Sequence, residues 1–343
     1  MSVLVGDAKA LARRWVEAEV AAMPGFVGAY LAGSVLDLPD DSPLPETSDL
    51  DVNVVVEEGI EPRERVKLLY GGVLLEVSHH SAGLYRSPEA VLADYHLAGG
   101  FRVSSVILDP TGRLSEIQAA VSRHFADPRW VRRRCEHARA HVLRQLATPN
   151  PSWPREQQAI GFLFPTGVTT HVLLVAGLRN PTVRRRYAEV RRLLEDYGRL
   201  DFQEVLLGLL GCAAMTRQRV EHHLATLADA FDAACAWART PFGFSADISR
   251  LSRHIAIDGS RDLIEQGLHR EAVFWIAVTH SRCQVVLAAD APPEVVERHA
   301  PAYAGLLADL GIDSSAAIER RAEAVRSAMP RVWSVAEEIM AGR

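Results

Sequence analysis

Apolar and polar positions follow two different periods along this chain, and the change comes roughly a third of the way in. In the first part the apolar positions fall into short blocks. Leu11, Trp15, Ala18 and Ala22 share one helical face, with Asp7 placed to cap that helix and Pro24-Gly25 placed to stop it. Phe26 to Ala32 reads as a strand. Beyond a polar loop, Asp49, Asp51 and Asn53 alternate with Leu50, Val52 and Val54, which puts the polar residues on one face of a second strand and the apolar ones on the other. Gly71-Gly72 separates Val66–Tyr70 from Val73–Val77, either as a hairpin turn or as the stop of a short helix opened by Pro62. Ser87-Pro88 starts a helix, Gly99-Gly100 follows its end, and a strand from Arg102 to Leu108 closes at the turn Asp109-Pro110-Thr111-Gly112.

From about Leu114 the spacing is helical. Leu114–Phe125 and Trp130–Leu146 are followed by a proline-rich linker at 147–154. Helices are then expected at Arg155–Phe164, Thr169–Leu178, Thr182–Tyr197, Phe202–Gly211, Arg217–Ala238, Ile248–Ile255, Arg261–Leu268, Glu271–Ala289, Pro293–Leu310 and Ser314–Met340. The expected fold class is an α/β (α+β) domain with a small mixed sheet at residues 1–125, then a mostly α-helical domain at 126–343. No internal repeat or low-complexity tract interrupts this pattern.

Composition narrows the function classes. With 343 residues, 48% of them apolar, the chain can bury a large core, and its length suits two domains. A net charge of −5 argues against a dedicated nucleic-acid binder, which would carry a basic excess. Cys135, Cys212, Cys235 and Cys283 form no Cys-x-x-Cys pair, so neither a zinc ribbon nor a disulfide framework is expected. The N-terminal residues lack the basic start and apolar run of a signal peptide, and the apolar stretches carry Arg, His or Glu too often to span a bilayer. A cytoplasmic protein with no membrane role is the expectation.

The candidate chemistry lies in the first part. Asp is depleted in strands, so Asp49 and Asp51 on one strand face are unusual. Their Cα atoms would stand roughly 7 Å apart, and their carboxylates can converge on ions about 4 Å apart. Upstream, Gly33 lets the backbone approach a ligand closely, and Ser34 offers a hydroxyl and an amide to phosphate oxygens. A strand ending in Gly33-Ser34, a variable loop and Asp49-Leu50-Asp51 resemble the signature of the polymerase-β-type nucleotidyltransferase superfamily, in particular its bacterial aminoglycoside-adenylyltransferase-like branch. The resemblance covers about the first third of the chain. In that family a third acid stands on a neighbouring strand, and Glu76 is similar to it. The loop from Val35 to Ser48 departs from the family in being longer and more acidic.

The resemblance implies a catalytic nucleotidyltransferase domain closed over by a helical one, with the acceptor in the cleft between them. It implies that Asp49, Asp51 and Glu76 hold Mg²⁺, two ions, and that Gly33 and Ser34 contact the phosphates of an NTP, with ATP the expected one. Glu76 could equally be the base that accepts the acceptor hydroxyl's proton. The implied reaction moves an NMP, AMP in the first instance, onto a hydroxyl of a small molecule and releases pyrophosphate. A protein-modifying AMP transferase and a non-catalytic nucleotide-binding regulator are the alternatives. The expected partner is a small-molecule acceptor, with neither nucleic acid nor membrane, and the chain is expected as a monomer or homodimer.

In the helical part, Arg184 and Arg185 sit where a turn meets a helix N-terminus and can hold a triphosphate; the same stretch also reads as a solvated basic face capped by Asn180 or Thr182. His79-His80 fall just beyond Glu76 but read as an exposed or hydrogen-bonded strand-end pair, His137 and His141 share a helix face but lack a third ligand, and His222 and His223 point to different faces. Phe162, Phe164, Phe274 and Trp275 read as core aromatics.

Overall fold

The computed structural model describes residues 3–61, 63–146 and 150–342, and the chain gathers into two compact units, Met1–Arg134 and Cys135–Arg343. The division falls inside a helix, a little beyond the expected break. Pro62 and residues 147–149 of the expected linker lie outside the described residues.

In the first unit the elements run α1 (Val5–Glu19), β1 (Phe26–Ala32), β2 (Leu50–Val56), β3 (Val66–Tyr70), β4 (Val73–Ser81), α2 (Pro88–Ala93), β5 (Val106–Leu108), α3 (Arg113–His124) and the start of α4 (Pro128–Leu146). Among the described residues the five strands form one mixed sheet in the order β3-β4-β2-β1-β5. Only β2 and β4 pair in parallel; the other neighbours are antiparallel. The alternation in β2 sets its two faces. Leu50, Val52 and Val54 join Ala29, Leu31, Leu75 and Val77 in a core closed by Val5, Ala8, Ala12, Trp15 and Val16 of α1. On the opposite face Val27, Tyr30 and Val55 pack with Tyr85, Val91, Phe101, Leu114, Ile117 and Val121, contributed by α2, α3 and the turns beside them. Each fully buried Val, Leu or Ile among these contributes about 1.5–3 kcal/mol.

The β3–β4 connection is the hairpin, not a helix stop. Gly71 and Gly72 have φ of 57° and 84°, as a two-residue type I′ turn demands at both central positions. Two expectations need correcting here. Asp7 does not cap α1: Leu4 precedes the helix, and the first amides are taken up from outside it, Val5 N–H donating to the Ser42 carbonyl at 2.9 Å and Gly6 N–H to that of Asp40 at 2.9 Å. Asp7 lies within the first turn, where a carboxylate meets the positive end of the helix dipole. The strand expected over Arg102–Leu108 is only Val106–Leu108, because the Gln118 side-chain oxygen accepts from the Ser105 and Val106 amides at 2.8 and 3.0 Å, and Ala98–Phe101 is a 3₁₀ turn.

The second unit continues with α5 (Arg155–Ala176), α6 (Arg186–Asp196), α7 (Asp201–Leu210), α8 (Arg217–Trp237), α9 (Arg253–Ala256), α10 (Asp258–Glu265), α11 (His269–Asp290), α12 (Pro293–Asp309) and α13 (Ser315–Ala341). The two helices expected on either side of Pro165-Thr166-Gly167 are one, α5, with the proline inside it. A mid-helix proline removes the backbone donor that would reach the carbonyl of Gly161, a loss this buried helix carries. The helix expected over Ile248–Ile255 is instead a 3₁₀ turn, Arg250–Ser252, and the short α9, with the Ser252 hydroxyl donating to the Ala246 carbonyl at 2.5 Å. By length and composition α5 and α11 are apolar enough to cross a bilayer, contrary to the expectation from their charges. Of their apolar windows 83% and 89% are buried, so packing within the unit accounts for that apolarity.

Candidate functional site

The sheet register decides which polar side chains meet. In the parallel pair Asp51 lies opposite Glu76, and in the hairpin Lys67 lies opposite Glu76. One rung across β2, β4 and β3 therefore carries Asp51, Glu76 and Lys67, with Asp49 just before β2 and Arg65 just before β3. The ion pairs follow this geometry. Lys67 Nζ bonds Asp49 Oδ2 and reaches Glu76 Oε2 at 2.7 Å, while Arg65 Nη1 donates to Glu76 Oε1 at 3.0 Å. Side-chain exposure is 5% for Lys67, 13% for Glu76 and 19% for Asp49, so the cluster is largely shielded yet open to solvent through its carboxylates.

Charge and burial act on these groups in opposite senses. Burial raises the Asp51 carboxyl well above the ordinary range, the charges of Asp49 and Glu76 raise it further, and Lys67 and Arg65 only partly oppose them. Burial alone would lower Lys67, but the carboxylates of Asp49 and Glu76 outweigh it and hold the ammonium above its ordinary value.

Gly33 stands against Asp51. Its φ of 74° and ψ of −159° are open only to glycine, and a Cβ there would lie 1.8 Å from Asp51 Oδ2. Glycine at this point is what leaves the carboxylate its place. Ser34 begins a 3₁₀ turn, Ser34–Asp37, from which the long loop runs back to α1. The acidic residues of that loop are partly neutralised: Asp37 pairs with Arg102, and Asp40 with Lys9 at 2.8 Å. With Leu44 N–H donating to the Val3 carbonyl at 2.9 Å, the loop is stitched along the first turn of α1.

Of the residues read from the sequence, Gly33, Asp49, Asp51 and Glu76 come together in the first unit. Arg184 and Arg185 belong to the second unit, where Arg184 Nη1 donates to the Gly259 carbonyl at 2.9 Å and Arg185 pairs with Glu189 at 3.2 Å. The N-cap of α6 is Arg185, not Asn180 or Thr182.

Lys67 and Arg65 are not among the residues read from the sequence, although the signal is there. Counting outward from a two-residue turn at Gly71-Gly72 pairs Tyr70 with Val73 and therefore Lys67 with Glu76. His80 reads from the sequence as an ordinary strand-end histidine. It shares the Glu76 face of β4, and its Nδ1 meets the Tyr85 hydroxyl, which lies 2.8 Å from that of Tyr30. Burial, aided by His79, pushes the His80 imidazole down to about 4, which keeps it neutral near pH 7.

The donor set suits a hard divalent ion. Asp49, Asp51 and Glu76 offer only carboxylate oxygens, the ligands Mg²⁺ prefers, and two of them already hold a cation in the Lys67 ammonium. As they stand, no three His, Cys, Asp or Glu side chains among the described residues are grouped to hold a metal, and Lys67 lies between two of these acids. No protein-family model matches the chain, and comparison with curated proteins and with solved structures gives no match either.

Proposed function

We propose that the first unit is a polymerase-β-type nucleotidyltransferase domain, which moves an NMP, AMP in the first instance, from an NTP to a hydroxyl of a small molecule. One observation carries the reading: Asp51 and Glu76 stand side by side across the parallel β2–β4 pair, with Asp49 beside them and Gly33 making room for Asp51. Asp49, Asp51 and Glu76 would hold Mg²⁺, which when bound neutralises charge on the nucleotide phosphates. Ser34 supplies a hydroxyl beside Gly33 for a phosphate oxygen. The acceptor oxygen bonds to the α-phosphorus, the bond from that phosphorus to the β-phosphate oxygen breaks, and pyrophosphate leaves. Glu76 would either complete the metal site or accept the acceptor's proton.

The test is pyrophosphate release from each of the four NTPs with Mg²⁺ and a panel of hydroxylated small molecules. Asp51→Asn is expected to abolish release while leaving the circular dichroism spectrum unchanged; release at the wild-type rate would refute the assignment. A second reading, a nucleotide-binding regulator without turnover, is favoured by Lys67, which already neutralises part of the acidic cluster. It predicts nucleotide binding with no pyrophosphate under any acceptor.

A further inference from the structure

Lys67 changes what the acidic rung can hold. Its ammonium touches a carboxylate oxygen of Asp49 and, at 2.7 Å, one of Glu76, and its side chain is only 5% exposed. An ion bridging those two acids would need both oxygens at about 2.0–2.1 Å, in the space the ammonium fills. The charge count points the same way. The paired carboxylates of Asp49 and Glu76 are already balanced by two cationic side chains, Lys67 and Arg65. One divalent ion makes the site positive and matches a polyphosphate; a second would stand beside an ammonium with little anionic charge left to hold it.

We propose that Lys67 is a built-in counter-ion that takes the place of one divalent cation, so that the site accepts a single Mg²⁺ rather than the pair expected from its acids. This rests on the nucleotidyltransferase reading and sharpens it. The position of Lys67 is fixed by the hairpin register rather than by a flexible loop, which makes the substitution a permanent property of the sheet. Arg65, ion-paired with Glu76 from the same side, reinforces it.

The experiment is a titration of the full-length chain with Mn²⁺ alone, in which bound ions are counted by loss of the free-ion EPR signal. The wild type is expected to bind one Mn²⁺. Lys67→Gln is expected to bind a second, or to bind the first at least tenfold more tightly. Two ions in the wild type would overturn the inference and leave the nucleotidyltransferase reading standing. So would Lys67→Gln binding no more ions, and no more tightly, than the wild type. No Mn²⁺ bound by either protein, with both folded by circular dichroism, would overturn the inference, while the nucleotidyltransferase reading stands or falls by the pyrophosphate assay. Should Lys67→Gln not fold, Lys67→Met is measured in its place under the same criteria, and the wild-type count alone still refutes the inference if it exceeds one.

Discussion

Gly33→Ala tests whether the backbone at the end of β1 exists to seat Asp51. Two separable penalties are expected. The first is conformational: at φ 74° and ψ −159° a non-glycine residue costs on the order of 1–3 kcal/mol. The second is steric, since the new Cβ would lie 1.8 Å from Asp51 Oδ2 and 2.9 Å from its Cγ. The carboxylate can rotate away, but only by leaving the rung it shares with Glu76. The conformational part alone should lower stability by about 1–3 kcal/mol, roughly 4–12 °C in Tm for a unit of this size, and the steric part adds to it. Mn²⁺ binding should fall with it. Urea denaturation of wild type, Gly33→Ala, Asp51→Ala and the double variant completes the cycle. The steric penalty should vanish in the Asp51→Ala background while the conformational one remains, giving a coupling above about 0.5 kcal/mol. A Gly33→Ala protein within about 0.5 kcal/mol of wild type would refute the conformational reasoning. An equal loss in both backgrounds would show that Gly33 does not serve Asp51.

Two further predictions concern the helical unit. His280 is fully buried, and burial, followed by the charges of His223 and His299, lowers its imidazole to about 3. An unfolded histidine titrates near 6.5, so below that pH only the unfolded chain takes up the proton, and stability falls toward acid by about 1.4 kcal/mol per pH unit until about pH 3. His280→Leu should remove about 2 kcal/mol of the stability difference between pH 6.5 and 5, measured by urea denaturation; an unchanged pH dependence would refute it. Arg282 donates to Asp247 Oδ2 at 2.7 Å and lies 5.0, 5.3 and 5.7 Å from the ring centroids of Phe164, Phe244 and Trp275. Asp247→Ala leaves that guanidinium buried beside three rings and should cost about 3–5 kcal/mol in the same assay; a loss under about 1 kcal/mol would refute the pair's structural role.

Much of the first unit was legible because its signals are local. The alternation in β2 and the paired glycines of the hairpin each reflect a backbone rule that holds wherever the residues occur. Parallel pairing of β2 with β4 is a different matter. No periodicity fixes the register that sets Asp51 against Glu76, since it depends on burying Leu50, Val52, Leu75 and Val77 under α1. Pro165 misled because helix propensity is weak beside burial. From Phe162 onward nearly all of α5 is enclosed, and that packing outweighs one missing backbone donor. Arg184 and Arg185 looked available because their partners come from elsewhere: Gly259 is distant in sequence, and Glu189 acquires its position only once α6 starts at Arg186.

The hairpin that carries Lys67 also bears on the order in which the sheet can assemble. A two-residue turn closes on the microsecond scale, so β3 and β4 can meet early and bring the ammonium to Glu76 from nearby in the chain. Docking of β2 is a slower, longer-range event, and it delivers Asp49 and Asp51 to the edge where Glu76 waits. Without a cation already there, that last step would push like charges together. Lys67, carried by the hairpin, supplies the positive charge that offsets the repulsion among acids gathered on this rung.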